Sequence, residues 1–504
     1  MGNSMILLTD DLLLDYARCH RRAHLHHWGD RHHRAPEKDF VLKLRREHQQ
    51  QIQTVLAGQR VTTPEYSPQD WSAGAVATET LMAAGVEQIH RGILRWTEPL
   101  EELPQPEGLE LVGRPTLLVK QPGVSRFGDW CYQPVNIKLG KRPKSEYKLV
   151  AMFQGLMLTH IQGATPPDPQ LILREGSTHR VDSGYWWGKM LAAVTDCVRA
   201  LRDTEAPEVF ISRQRCSLCP WYDHCHGVAV ATQHLSLVPG VTPGRYASLQ
   251  GLGVTSLAQL AALEPQQVEP EIEPAIARHL QRQAQAIVED RPLPLGTAQP
   301  LPQPLAPIEL YFDLEAEPDQ DVDFLFGVFC VNHDKQTETF HGFFAEHPRD
   351  EPFIWQQFLA LLHRYPTAPI FHFSPYEVET VKRLSQRYRM SQYPMRSLLP
   401  RFIDVHAWLM QVAVLPVENY SLKSVAKWLG FAWRDQGLSG DQTVCLYNQW
   451  LETADQEALA MILRYNEDDC RATHQLRMWL HDWSLRGETN FANILDRVQK
   501  TALS

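Results

Sequence analysis

The chain has 504 residues, 43% of them hydrophobic, enough for more than one core, since single domains usually run about 100 to 200 residues. No run approaches the roughly 18 apolar residues that span a bilayer, and Met1 to Thr9 lacks the basic and long apolar regions of a secretory signal, so a soluble, cytoplasmic protein with no membrane partner is expected. A net charge of −10 discourages whole-surface attraction to nucleic acid but leaves local basic patches free to bind phosphate, and nine cysteines without an export signal argue against a disulfide framework.

In chain order, the first feature is a split cysteine pattern: Cys19 stands near the start, and Cys216-x2-Cys219-x5-Cys225 follows about 200 residues later. A metal group bound by all four would close a loop around everything between them, and four thiolates suit either an iron–sulfur cluster or zinc. Cys131, Cys197, Cys330, Cys445 and Cys470 sit in apolar or helical contexts and read as buried structural thiols. Inside the loop, Lys138, Lys141, Arg142, Lys144 and Lys148 place five cations within eleven residues, a candidate phosphate-binding patch or a solvated turn. No phosphate-binding Gly-x4-Gly-Lys-Ser/Thr loop occurs, so the chain is not expected to be an ATP-driven motor.

The one-plus-three cysteine pattern resembles that of RecB-family nucleases of the CRISPR-associated and AddB types, in which it holds a [4Fe–4S] cluster. Gly113-Arg114-Pro115-Thr116 and Pro134-Val135-Asn136-Ile137-Lys138 match the two strand motifs of a PD-(D/E)xK nuclease, and His48 matches its upstream helical histidine. The resemblance implies a restriction-endonuclease-like domain over 1–230. It also implies a degenerate site, because Thr116 and Asn136 replace the two acids that hold Mg²⁺ while Lys138 remains, and Val150-x3-Gln154 replaces Gln-x3-Tyr. Glu110 and Asp129 are the candidate substitute acids. The expected outcome is an inactive module kept as a basic, cluster-stabilised platform for DNA.

Residues 231–291 read as short helices. Leu237-Val238-Pro239-Gly240-Val241 and Leu249-Gln250-Gly251-Leu252-Gly253-Val254 resemble a helix–hairpin–helix, whose backbone N–H groups can hold a phosphate without reading sequence. Six prolines between 292 and 307 predict a semi-extended linker.

From 308 to 485 the pattern predicts strands over 310–314, 324–331 and 337–344 and a helix over about 457–479, hence a mixed sheet flanked by helices, with 486–504 as a tail. Asp313 and Glu315, two apart on an apolar strand, leave the same face and repel unless a cation lies between them. Glu377 follows a short apolar strand at a helix start, and Tyr465 and Asp469 share one face of the last helix. Asp404 is a reserve fourth carboxylate, and Asp468, on another side of that helix, is expected in solvent.

These residues resemble the motifs of DEDD exonucleases of the tyrosine subclass, which have a ribonuclease-H-like fold: Asp-x-Glu at Asp313 and Glu315, Tyr-x3-Asp at Tyr465 and Asp469, and Glu377 where an aspartate is usual. The whole chain looks most like bacterial RecB-like nucleases that join the two modules. The architecture implied is α/β and multidomain, with a small helical connector. The function implied is two-metal 3′-to-5′ hydrolysis with Mg²⁺ or Mn²⁺ of nucleic acid, DNA in preference to RNA, beside a separate helicase. A non-catalytic DNA-binding adaptor in a repair complex and an N-terminal endonuclease are the rival expectations.

Overall fold

The computed structural model describes residues 5–103, 108–268, 271–295, 305–389 and 392–486. The chain divides into two compact units, Met1–Val228 and Ala229–Ser504. No helix among the described residues is long and apolar enough to cross a membrane.

The N-terminal unit is mixed α/β. Strands β1 (Ile6–Thr9), β2 (Gln88–His90), β3 (Leu94–Trp96), β4 (Leu109–Gly113), β5 (Leu117–Ser125), β6 (Gly128–Ile137), β7 (Gln170–Ile172) and β8 (Thr178–Arg180) form two sheets, ordered β1-β4-β3 and β2-β5-β6-β7-β8. The helix Ser145–Gln162 is apolar nearly all round, from Val150 through Leu158, and accordingly runs through the core between Leu8, Leu118, Tyr132 and Val194. Gly163 ends it in the left-handed conformation at φ 63°, where a side chain would be strained.

In the second unit the helices Pro243–Gly251 and Leu257–Ala261 begin with side-chain caps from Thr242 and Ser256. The helix Pro274–Glu289 buries Gln283, whose amide donates to the Leu415 carbonyl at 2.6 Å and accepts from the Tyr420 hydroxyl at 2.6 Å. The proline-rich stretch starts differently from expectation: Leu293–Pro294 forms β9, paired antiparallel with β15 (Ala413–Val414), because Leu293 fills a small apolar cluster with Ala286 and Val414. Residues 296–304 of the expected linker, and the expected tail beyond 486, lie outside the described residues.

The main sheet comprises β10 (Ile308–Glu317), β11 (Val322–Asn332), β12 (Thr337–Phe344), β13 (Ile370–His372) and β14 (Phe402–Asp404), in the order β12-β11-β10-β13-β14. The first three strands are antiparallel, and β13 and β14 join in parallel. Helices cover both faces, so β11 is apolar and buried almost throughout. On β10 the two-residue period divides the side chains. Leu310, Phe312 and Leu314 pack with Phe326 and Phe358 on one face, while Tyr311 packs with Phe329, Phe371 and Leu476 on the other. Asp313 and Glu315 continue the Tyr311 face, the one crossed by the long helix Gln456–Arg486.

Two contacts set that helix on the sheet. Arg477 and Glu309, 0% exposed each, form an ion pair at 2.9 Å, and the Tyr311 hydroxyl donates to Glu309 at 2.6 Å. Further along, Asn466 enters the space above Gly327, the residue paired across from Asp313; a Cβ at Gly327 would stand 1.6 Å from Asn466 Oδ1. Gly327→Ala is therefore expected to destabilise the protein by about 2 to 3 kcal/mol, the upper part of the overpacking range, in denaturant unfolding. A loss under about 0.5 kcal/mol would show that the helix is free to shift at this point.

Candidate metal centre

Asp313 and Glu315 sit on the central strand, just before a β-bulge between Glu315 and Ala316 that re-aims the strand end. Asp469 comes from the long helix, with Tyr465 one turn earlier. One oxygen from each of Asp313, Glu315 and Asp469 lies within 4.8 Å of the others, and among the described residues this is the one such group of three or more His, Cys, Asp or Glu.

Each carboxylate is anchored by a neutral donor. Asn466 Nδ2 donates to Asp313 Oδ2, Thr443 Oγ1 to Glu315 Oε2 and Trp433 Nε1 to Asp469 Oδ1, all at 2.7 Å. These bonds fix positions without cancelling charge. Burial, then the charges of Asp469, Glu315 and Glu377, hold the Asp313 carboxyl well above the usual range. Burial and Asp469 push Glu315 up to about 8, and burial pushes Asp469 up to about 7. The side chain of Lys423 opposes this at Glu315 and Asp469; its Nζ lies 4.8 Å from the Tyr465 ring centroid and donates to the Leu438 carbonyl. Tyr465 is buried, and burial, then the charges of Asp469, Glu315 and Asp313, keep the proton on its phenol, which donates to Asp469. An all-oxygen set of clustered acids, half-buried at Asp313 and buried at Glu315 and Asp469, whose ionisation is opposed by their own repulsion fits a hard divalent cation.

Glu377 is the second residue of the helix Tyr376–Arg387 and is 4% exposed. Ser374 Oγ donates to it at 3.0 Å, and Ser374 is itself held at φ 131° by a 2.7 Å bond that its carbonyl accepts from His372 Nδ1. That strained turn points Glu377 toward Asp313, whose pKa its charge raises, but leaves it outside the tight group of three. Asp404 is engaged elsewhere, accepting from Ala407 N at 3.0 Å as the cap of the helix Val405–Val412. Asp468 corrects the expectation of a solvated side chain: it is 3% exposed and bound to Arg434 Nε at 2.8 Å. With Arg434 also on Glu467 and Asp435 on Arg464, the segment 431–438 is tied along the helix, and this brings Trp433 to Asp469. Sequence reasoning missed Trp433, Thr443, Lys423 and Asn466. Only Asn466 carried a signal, adjacency to Tyr465.

In the N-terminal unit, Asp10, His48, Arg114, Thr116, Asn136 and Lys138 line a cavity of about 400 Å³. Thr116 and Asn136 are both bound into the protein: Thr116 Oγ1 accepts from Ile137 N, and Asn136 donates to Gln154, which donates in turn to Asp10. Asp10, also bound by Arg114 N at 2.7 Å, is the acid the sequence did not suggest; Glu110 is paired with Arg95. Burial lowers the Lys138 pKa while Asp10 supports its charge, and His48 Nε2 bonds the Ile137 carbonyl at 2.8 Å.

Cys19 lies between the helices Asp10–Arg18 and His20–Trp28. Burial raises the thiols of Cys216, Cys219 and Cys225, and each also feels Cys19, but their sulfurs do not form a group as tight as that of the acids. N–H groups of Ser212, Trp221 and Arg21 approach Cys216, Cys219 and Cys225 respectively, the kind of donor that supports thiolate ligands. Cys131, Cys197, Cys330 and Cys470 are buried as expected; Cys445 is only half-buried. In the two segments expected as hairpins, Gly240 (φ 90°) and Gly253 (φ 78°) are left-handed, Gly251 ends a helix, and Arg245 donates to the Gly240 carbonyl. Lys141, Arg142 and Lys144 are exposed.

Residues 310–481 match the RNase_H_2 family of the RNase_H superfamily. No curated protein matches the chain. The C-terminal part is thus an RNase H-like domain, a nuclease-type fold whose members generally use divalent metals, and the acid cluster lies within the matched residues.

The raised acids give a pH signature. Their folded pKa values exceed the unfolded range near 4, so the metal-free protein loses stability as pH rises from about 4 to about 8. A divalent cation removes that penalty and competes with the same protons. The Mn²⁺-induced rise in melting temperature is therefore expected to be larger at pH 8 than at pH 6 and absent in Asp313→Ala; a rise equal at both pH values would contradict this account.

Proposed function

We propose that the C-terminal domain is a metal-dependent 3′-to-5′ exonuclease of the DEDD-tyrosine type, acting on DNA, single-stranded in preference. The observation that carries this reading is the tight group of half-buried Asp313 with buried Glu315 and Asp469, with Glu377 beside it, in an RNase H-like domain. Mg²⁺ or Mn²⁺ held by these acids would supply Lewis acidity at the phosphodiester and offset charge on the attacking and leaving oxygens. Asn466, Thr443 and Trp433 keep the acids in place before substrate arrives. The Tyr465 hydroxyl orients the attacking water by hydrogen bonding. Lys423 faces the incoming phosphate, offsetting the repulsion of an anionic substrate by an anionic site.

The N-terminal unit, in this reading, is a RecB-like PD-(D/E)xK module that has lost hydrolysis and retains grip. Its support is the use of Thr116, Asn136 and Asp10 as mutually bonded structural groups. Cys19, Cys216, Cys219 and Cys225 hold a [4Fe–4S] cluster, with zinc as the alternative, and Lys141, Arg142, Lys144 and the glycine hairpins at Gly240, Gly251 and Gly253 contact phosphates.

The decisive assay compares 3′- and 5′-labelled single strands with Mg²⁺ or Mn²⁺. Wild type should shorten strands from the 3′ end. Asp313→Ala should lose more than about a hundredfold, and Thr443→Val about 10- to 100-fold, the usual loss for partners of metal ligands. Lys138→Ala should cleave like wild type. A wild type that degrades neither strand overturns the reading in favour of a DNA-binding adaptor; activity that survives Asp313→Ala but not Lys138→Ala moves the chemistry to the N-terminal unit.

The cysteine assignment is checked separately. Protein purified without oxygen should contain iron and inorganic sulfide in equal amounts, both lost in Cys219→Ser, whereas zinc without sulfide would replace the cluster by an ion.

A further inference from the structure

On the N-terminal unit, lysines and aromatic rings alternate over the starts of two packed helices, Ser145–Gln162 and Ser183–Arg202. Lys189 Nζ lies 3.7 Å from the centroid of Tyr185 and 5.2 Å from that of Trp186. Lys148 reaches over from the first helix to 5.3 Å from Trp186. Lys144 and Lys138 stand 5.9 and 5.7 Å from Tyr147, which carries the series back to the cavity that Lys138 lines.

Two properties separate this surface from an ordinary solvated basic face. The cations are uncompensated: among the described residues, Lys141, Arg142, Lys144, Lys148 and Lys189 form no ion pair with a carboxylate, and the nearby acids are committed, Glu146 to Arg18, Asp168 to Arg180, and Asp182 to capping the second helix. In addition, Tyr185 is 59% exposed, although an aromatic ring gains by being covered. A duplex presents its phosphates and keeps its base faces stacked away. A single strand offers phosphates and open base faces together, and base–aromatic stacking beside a line of lysines is how such strands are held without regard to sequence.

We infer that the surface formed by Lys144, Lys148, Tyr185, Trp186 and Lys189 is a single-stranded nucleic-acid binding platform, with phosphates along the lysines and a base stacked on Tyr185. It deepens the proposed platform role of the N-terminal unit and is independent of the acids that would cleave the strand.

The test is fluorescence anisotropy of the full chain in EDTA, with labelled oligothymidylate, oligouridylate and a duplex of the same length. Tyr185→Ala, at an exposed position, should weaken binding of the single strands about tenfold and leave the duplex unchanged. Lys148→Ala with Lys189→Ala should weaken single-strand binding and lower the slope of log affinity against log salt by about 0.7 per lysine. Equal losses for oligothymidylate and oligouridylate identify the shared phosphate and base chemistry as the ligand; a loss for one alone identifies DNA or RNA as the occupant. The proposal is overturned if both variants bind single strands like wild type, or if Tyr185→Ala weakens the duplex as much. Wild type binding none of the three would remove the platform reading altogether, whatever the nuclease assay shows.

Discussion

Much of the C-terminal unit is organised around one unfavourable interaction, the repulsion among carboxylates gathered on one face of a sheet. Asp313 and Glu315 are placed there by strand periodicity, Asp469 by the long helix, and Glu377 by the turn before its own helix. Water would screen these charges, but the site is buried, and the neutral donors Asn466, Thr443 and Trp433 hold the acids without neutralising them. Lys423 offsets part of the repulsion at Glu315 and Asp469, and protons relieve the rest at the cost of the ligands' charge; a divalent cation would relieve it with that charge kept.

The same constraint accounts for features with no chemistry of their own. Gly327 is small because Asn466 must reach Asp313 across the strand beside it. Ser374 tolerates a positive φ because its hydroxyl and its carbonyl are both occupied, one on Glu377 and one by His372. The ties between segment 431–438 and the long helix matter chiefly because they deliver one indole N–H to Asp469.

The strands of the main sheet were legible because their apolar runs are long and helices cover both faces: the third strand, Thr337–Phe344, is as the pattern predicts, and the first two extend only a few residues further. The acids were legible because two-residue and four-residue spacings have fixed meanings on strands and helices. Thr443, Trp433 and Lys423 were not, since they reach the site from separate segments brought together only by packing. Asp468 was misread because helix geometry gives its direction but not that Arg434, from a loop about 30 residues earlier, covers it. Leu293–Pro294 was read as spacer because its partner strand, Ala413–Val414, is too short to show a period. In the N-terminal unit, Thr116 and Asn136 could be singled out in the sequence, whereas the hydrogen bonds that run from Asn136 through Gln154 to Asp10 required the fold.

The buried pair of Arg477 and Glu309 has one more consequence. Glu309 is the second residue of the strand that carries Asp313 and Glu315, and Arg477 lies eight residues beyond Asp469 on the helix, so strand and helix are clamped at two separated points along their length. Sliding or rotating one past the other would unpair two charges with no water to receive them. The acids therefore share a single mechanical frame, and the centre has no half-assembled state: it is whole or it is lost together with the packing of the sheet.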